Sequence, residues 1–148
     1  MSGRFEGTVV IDRPIEEVFA FVANGENDPK FSPRVLEIRK TTDGPPGVGT
    51  VYASTVKDAG MKTKREFELT EVTPPTRIRW AERSKNIVTA SEGGYDLEPA
   101  GAGATRLTIH NVLEGHGFGK LIAPLALSQA RKDVDAFANR IKAAVEAS

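Results

Sequence analysis

Residues 89–113 read TASEGGYDLEPAGAGATRLTIHNVL, two alternating runs around a small-residue connection, and how they pair decides what sheet the chain can build. PAGAG at 99–103 carries turn chemistry. A connection that short joins antiparallel strands, because a parallel pair needs a crossover of a dozen or more residues. Side chains alternate between the faces of a strand. Leu107, Ile109, Asn111 and Leu113 therefore share the inward face, and His110 is expected to point to solvent. On the preceding strand Tyr95 and Leu97 mark the inward face, bringing Thr89, Ser91 and Gly93 with them and sending Glu92 and Asp96 outward.

The same pattern extends upstream. Extended segments are expected at roughly 34–42, 49–58, 61–73, 76–83, 86–98 and 104–114, separated by DGPPGVG, AG, PP, SKN and PAGAG. Short connections between successive strands make a meander. In KREFELTEV, Phe67 and Leu69 point inward together with Arg65 unless a bulge shifts the register, while VYASTV fits two phases, Val51, Ala53 and Thr55 or Tyr52, Ser54 and Val56. TPPTRIRWAERSK, residues 73–85, holds the only tryptophan, Trp80. Ile78 and Glu82 share its face, so an inward Trp80 carries a carboxylate inward with it; otherwise Glu82 keeps a strand end wet.

RFEGTVVID at the N-terminus alternates as one more strand and runs into Pro14, which suits a first helical turn, with Glu16 and Glu17 at the favoured end of the helix dipole. Ile15, Val18, Phe19 and Val22 then repeat at helical spacing. NGENDPKFSPR has room for at most a short second helix, with Phe31 its one large apolar group. From Phe118 onward the pattern is helical, with Leu127, Ala130, Val134, Phe137, Ala138, Ile141 and Val145 as the apolar stripe, and Pro124 either starts the main helix or kinks it.

At 148 residues the chain is the size of one domain, 1–148. Twenty basic and twenty acidic residues cancel without long blocks, so nucleic acid is not an expected partner. There is no cysteine, and no run approaches the length of a membrane span. A soluble cytoplasmic protein without stable membrane insertion is the expectation, as monomer or homodimer. His110 and His116 are the only histidines; neither a metal site nor any other cofactor is expected, and no nucleophile triad or phosphate-binding glycine motif occurs.

IDRPIEEVFAFVAN followed by NDPKFSP, then VGTVY, EVTPPTRIRW, GGYDLEPAGAGATRLTI and the long final helix resemble the SRPBCC superfamily, in particular its polyketide cyclase/dehydrase and lipid-transport group, with START domains and pollen-allergen-like proteins similar in fold. The resemblance implies an α+β helix-grip fold, in which a seven-stranded antiparallel curved sheet wraps around a long C-terminal helix. It also implies two short helices between strands 1 and 2, and an internal cavity for an apolar or amphiphilic small molecule. On that reading the ligand-binding set is Arg65, Phe67, Trp80, Glu82, Ser91, Tyr95 and Asn111 from the sheet with Leu121 and Leu125 from the helix. Three functions remain open: a carrier or binding protein for a hydrophobic small molecule, an aromatase/cyclase-like enzyme with Glu82 and Tyr95 as candidate catalytic groups, and an interaction module whose hollow is filled by its own side chains.

Overall fold

A computed structural model of the protein describes residues 2–58 and 60–148. Strand β1 (Ser2–Ile11) leads into helix α1 (Ile15–Ala23) and a 3-10 helix, Gly25–Lys30. Strands β2 (Val35–Lys40), β3 (Val51–Asp58), β4 (Met61–Thr73), β5 (Arg77–Glu82), β6 (Val88–Pro99) and β7 (Thr105–Gly115) follow, and α2 (Gly119–Glu146) closes the chain. The sheet order is β1-β7-β6-β5-β4-β3-β2, antiparallel throughout. The meander is thus extended at one edge by β1, which returns to pair with β7. No helix among the described residues is long and apolar enough to cross a membrane.

Pro14 caps the start of α1: Glu17 and Val18 donate their backbone N–H groups to its carbonyl, and the N–H that Pro14 lacks would have no intrahelical partner there. Val18, Phe19, Phe21 and Val22 of α1 are buried, and Phe31, just past the 3-10 helix, stacks edge-on against Phe137 of α2. The helical stripe is where the spacing puts it. Val134, Ala138, Ile141 and Val145 are buried, and Pro124 lies inside α2 rather than at its start.

Register resolves the phases that alternation left open. Tyr52, Ser54 and Val56 pair with Phe67, Arg65 and Thr63, and Phe67 and Leu69 pair with Glu82 and Trp80, so the Tyr52 phase of β3 faces the concave side. Gly93 pairs with Trp80 on one side and Asn111 on the other, and Asn111 with Phe5. Concave-face residues from β1 to β4 therefore stand in one row.

Two expectations on β6 fail for one reason. The register shifts between Ala90 and Glu92, an extra residue that reverses the alternation before it. Ala90, not Ser91, pairs with Leu113; Ser91 is exposed, with its hydroxyl on the Val112 carbonyl, and Thr89 stands opposite Glu114 on the convex side. His110 is a further correction. It lies on the convex face but is only 1 % exposed, because Gly94 beside it has no side chain and the Arg79 side chain folds across that gap. Its Nε2 donates to Glu92 Oε1 at 2.9 Å, since a carboxylate can only accept, and its Nδ1 is buried without a partner.

Candidate functional site

Helix α2 packs on β1 and β7 and reaches β6 only lightly. Its close approach to β1 is possible because Gly3 and Gly7 have no side chains: Leu127 and Val134 occupy the space where a Cβ would stand. Beyond α2's reach, the concave surface of β3 to β5 is bounded on its far side by α1 and the 3-10 helix, where Tyr52 packs its ring on Gly25. Phe67, Trp80 and Asn111 face that space and are only half-buried. This half-buried aromatic part of the concave face, flanked by the buried Tyr52, Leu69 and Ile78, is the candidate site, called the hollow below.

Trp80 is fixed at its centre. Its Nε1 donates to Asn111 Oδ1 at 3.0 Å across Gly93, whose missing side chain leaves room for both groups, and its ring meets Tyr95 edge-on with centroids 5.0 Å apart. Tyr95 is 5 % exposed; burial first and the charge of Asp28 second raise its phenol well above the ordinary range. Trp80, Tyr95 and Asn111 are brought together as a unit.

Glu82 also turns inward, with a side chain 0 % exposed. Arg65 Nη1 donates to both carboxylate oxygens, at 3.0 and 2.9 Å, and to the Val88 carbonyl at 3.2 Å. The Ala90 N–H and Asn86 Nδ2 add bonds at 2.9 and 3.0 Å, and the Ser84 hydroxyl adds another. The carboxylate's acceptor positions are filled from within the protein. This cluster pins β4, β5 and β6 at one end of the hollow, and Glu82 has little left to offer a guest.

A different carboxyl group is available. Asp28, in the 3-10 helix, is half-buried, and burial raises its pKa from 3.8 to about 7. Its charge in turn contributes to raising the phenols of Tyr52, after burial and Glu26, and of Tyr95, after burial. Sequence reasoning passed over Asp28 because it lies in a polar, non-periodic stretch, NDPK, where alternation assigns no face. The one signal was its place within NDPKFSP.

The remaining expected residues lie elsewhere. Leu121 and Leu125 are 76 and 72 % exposed on the outer side of α2 and do not line the hollow. Ser91 is outside through the bulge, and His116 is exposed, with Nε2 2.8 Å from the Thr89 hydroxyl. No group of His, Asp and Glu that could hold a metal ion occurs among the described residues. A separate open groove of about 440 Å³ runs between the 3-10 helix and the C-terminal half of α2, lined among others by Pro29, Phe31, Arg140 and Ala144.

A curved antiparallel sheet gripping a long C-terminal helix defines the helix-grip class. The chain belongs to the polyketide cyclase / dehydrase and lipid transport family, whose pattern matches residues 2–146. Among solved structures it is similar to TTHA0849 from Thermus thermophilus (TM-score 0.79, 19 % identity, 98 % of each chain covered). It is likewise similar to a START superfamily protein from Mycobacterium smegmatis (0.77, 17 %, 97 % of each chain). A third similar structure is the Zhui aromatase/cyclase from a Streptomyces species (0.75, 18 %, 99 % of this chain and 94 % of that one). At these identities the likeness is one of fold. No curated protein matches.

Proposed function

We propose that the protein binds a hydrophobic or amphiphilic small molecule in the hollow between β3–β5, α2 and α1. The observation that carries this is the aromatic wall: Phe67 and Trp80 face inward yet stay only half-buried, on strands away from α2's main seat on β1 and β7. A pocket of that composition, largely apolar with a few polar groups to orient the guest, suits a lipid- or polyketide-like ligand. Asn111, Tyr95 and Asp28 are those polar groups. The reading is of a single domain working in the cytoplasm as a monomer or homodimer, without a cofactor and without nucleic acid. Native mass spectrometry of the purified protein is expected to show a copurifying apolar guest, and a long-chain fatty acid is expected to shift Trp80 emission. An unchanged spectrum with the fatty acid demonstrably bound removes Trp80 from the site, and absence of any binding removes the reading.

A cyclase reading draws support from Asp28. In a guest that reaches both groups, a carboxyl group titrating near neutral pH can take a proton from the carbon between two carbonyls, while a buried phenol protonates the carbonyl oxygen that the new C–C bond turns into an alkoxide. Turnover of a poly-β-ketone mimic that is lost in Asp28→Asn and Tyr95→Phe would establish it. No turnover by the intact protein leaves the carrier.

A further inference from the structure

The outer side of α2 changes character along its length. Ser128, Gln129, Lys132, Asp135 and Asn139 make its later turns polar, but its start is apolar. Phe118, Leu121, Ile122 and Leu125 recur at helical spacing on the side away from the sheet, and three of them are 81, 76 and 72 % exposed (Phe118, Leu121 and Leu125). Ile87 and Met61 are 53 and 71 % exposed at the same end of the molecule. The antiparallel order brings the β3–β4 turn, the β5–β6 connection and the β7–α2 junction to that end. Bonds link them: Asn86 Nδ2 donates to the Lys64 carbonyl at 3.3 Å, and the His116 N–H to the Ile87 carbonyl at 2.8 Å. Lys62, Lys64, Lys85 and Lys120 are exposed on these same segments. In a chain of zero net charge, this end joins protruding apolar tips to a lysine-rich rim.

We propose that this end of the molecule docks reversibly on an anionic lipid surface, with the first two turns of α2 lying in the interface and the lysines on the headgroups. Apolar side chains beside lysines are what such an interface selects. A second copy of the chain is a poorer fit, because a two-fold contact through this patch would set lysines against lysines. A partner protein is poorer too, since interface cores are depleted in lysine. The proposal stands independently of what occupies the hollow.

The test is cosedimentation of the full chain with vesicles of phosphatidylcholine alone and of phosphatidylcholine with about one-third phosphatidylglycerol. Binding is expected on the anionic vesicles only, weakened by salt, and reduced about tenfold or more by Leu121→Asp with Leu125→Asp, and separately by Lys62→Glu with Lys64→Glu and Lys120→Glu. These side chains are exposed, so circular dichroism and Tm are expected to stay unchanged, and the Trp80 response to fatty acid to persist. No binding to anionic vesicles, or binding that survives the paired leucine substitutions, overturns the proposal. So does a dimer that the leucine substitutions dissociate while vesicle binding is absent, which would assign the patch to a second copy.

Discussion

Glu82 and Asp28 are two inward carboxyl groups with opposite settings. Glu82 is surrounded by donors, so its removal takes a carboxylate from Arg65 and the Ala90 N–H rather than emptying a binding position. Glu82→Ala is expected to cost about 3 kcal/mol in urea unfolding, and the double change Arg65→Met with Glu82→Leu to recover most of it. A double variant no more stable than Glu82→Ala would show that the pair is not the reason for the loss. Asp28 has burial without such donors. Its folded pKa of about 7 lies above the ordinary 3.8, so the fold prefers the protonated form. Its contribution is complete below about pH 4 and is lost as pH rises toward 7. Asp28→Asn removes that slope. It is expected to match the wild type near pH 4 and to exceed it by about 2 kcal/mol at pH 8, less than the full three-unit shift would give because the side chain is only half-buried. Parallel Tm curves from pH 4 to pH 8 would refute this. Alternation alone put Tyr95 and Asn111 on the inward face and tied Glu82 to Trp80, since no register shift falls between these residues and the apolar positions that set their phase. Asp28 sits in no strand, and nothing in its neighbours' polarity tells which way a 3-10 helix turns it.

At the level of elements, the helix and the sheet meet through what is missing. A Cβ on Gly7 would stand 2.8 Å from Val134 Cγ2 and 3.3 Å from the Val134 carbonyl oxygen, so any side chain there pushes α2 off β1. Gly7→Ala is expected to lower stability by about 1–3 kcal/mol in denaturant titration, with Gly7→Val worse; a neutral effect would mean that α2 shifts freely. The stripe Val134, Ala138, Ile141 and Val145 was legible from its spacing, as was every strand, because burial on one face imposes a period. Which strand lies under the stripe was not legible: docking depends on Gly3 and Gly7, which are informative only once their neighbours across the interface are known. The β6 bulge was hidden for a similar reason. An extra residue leaves local composition unchanged while reversing every side chain before it, so Ser91 and Thr89 were placed on the wrong face and Tyr95, beyond the bulge, on the right one. His110 shows the limit of equating the convex face with solvent, since Arg79 bonds Asp96 at 3.0 Å and approaches Glu92 at 3.7 Å, and that lattice covers the imidazole.

For the whole molecule, the asymmetric seat of α2 divides the sheet into a half it packs on directly, β1 and β7, and a half, β3 to β5, where Tyr52, Leu69 and Ile78 are already buried but Phe67 and Trp80 stay half-buried. A carrier fills that half with its guest, and an interaction module fills it with its own side chains. The two differ in where added stability appears. A ligand that binds only the folded state raises stability by about 2.7 kcal/mol at a hundred times its Kd. If the guest lies in the hollow, the amide hydrogens that slow beyond this global effect are expected in β3, β4 and β5, whose inner faces gain a partner. Those of β1 and β7, already backed by α2, should follow the global change alone. Hydrogen exchange with and without a long-chain fatty acid separates the cases. Extra protection confined to the 3-10 helix and the last turns of α2 would move the site to the groove beside Phe31 and Arg140, while uniform protection would leave no localised site at all.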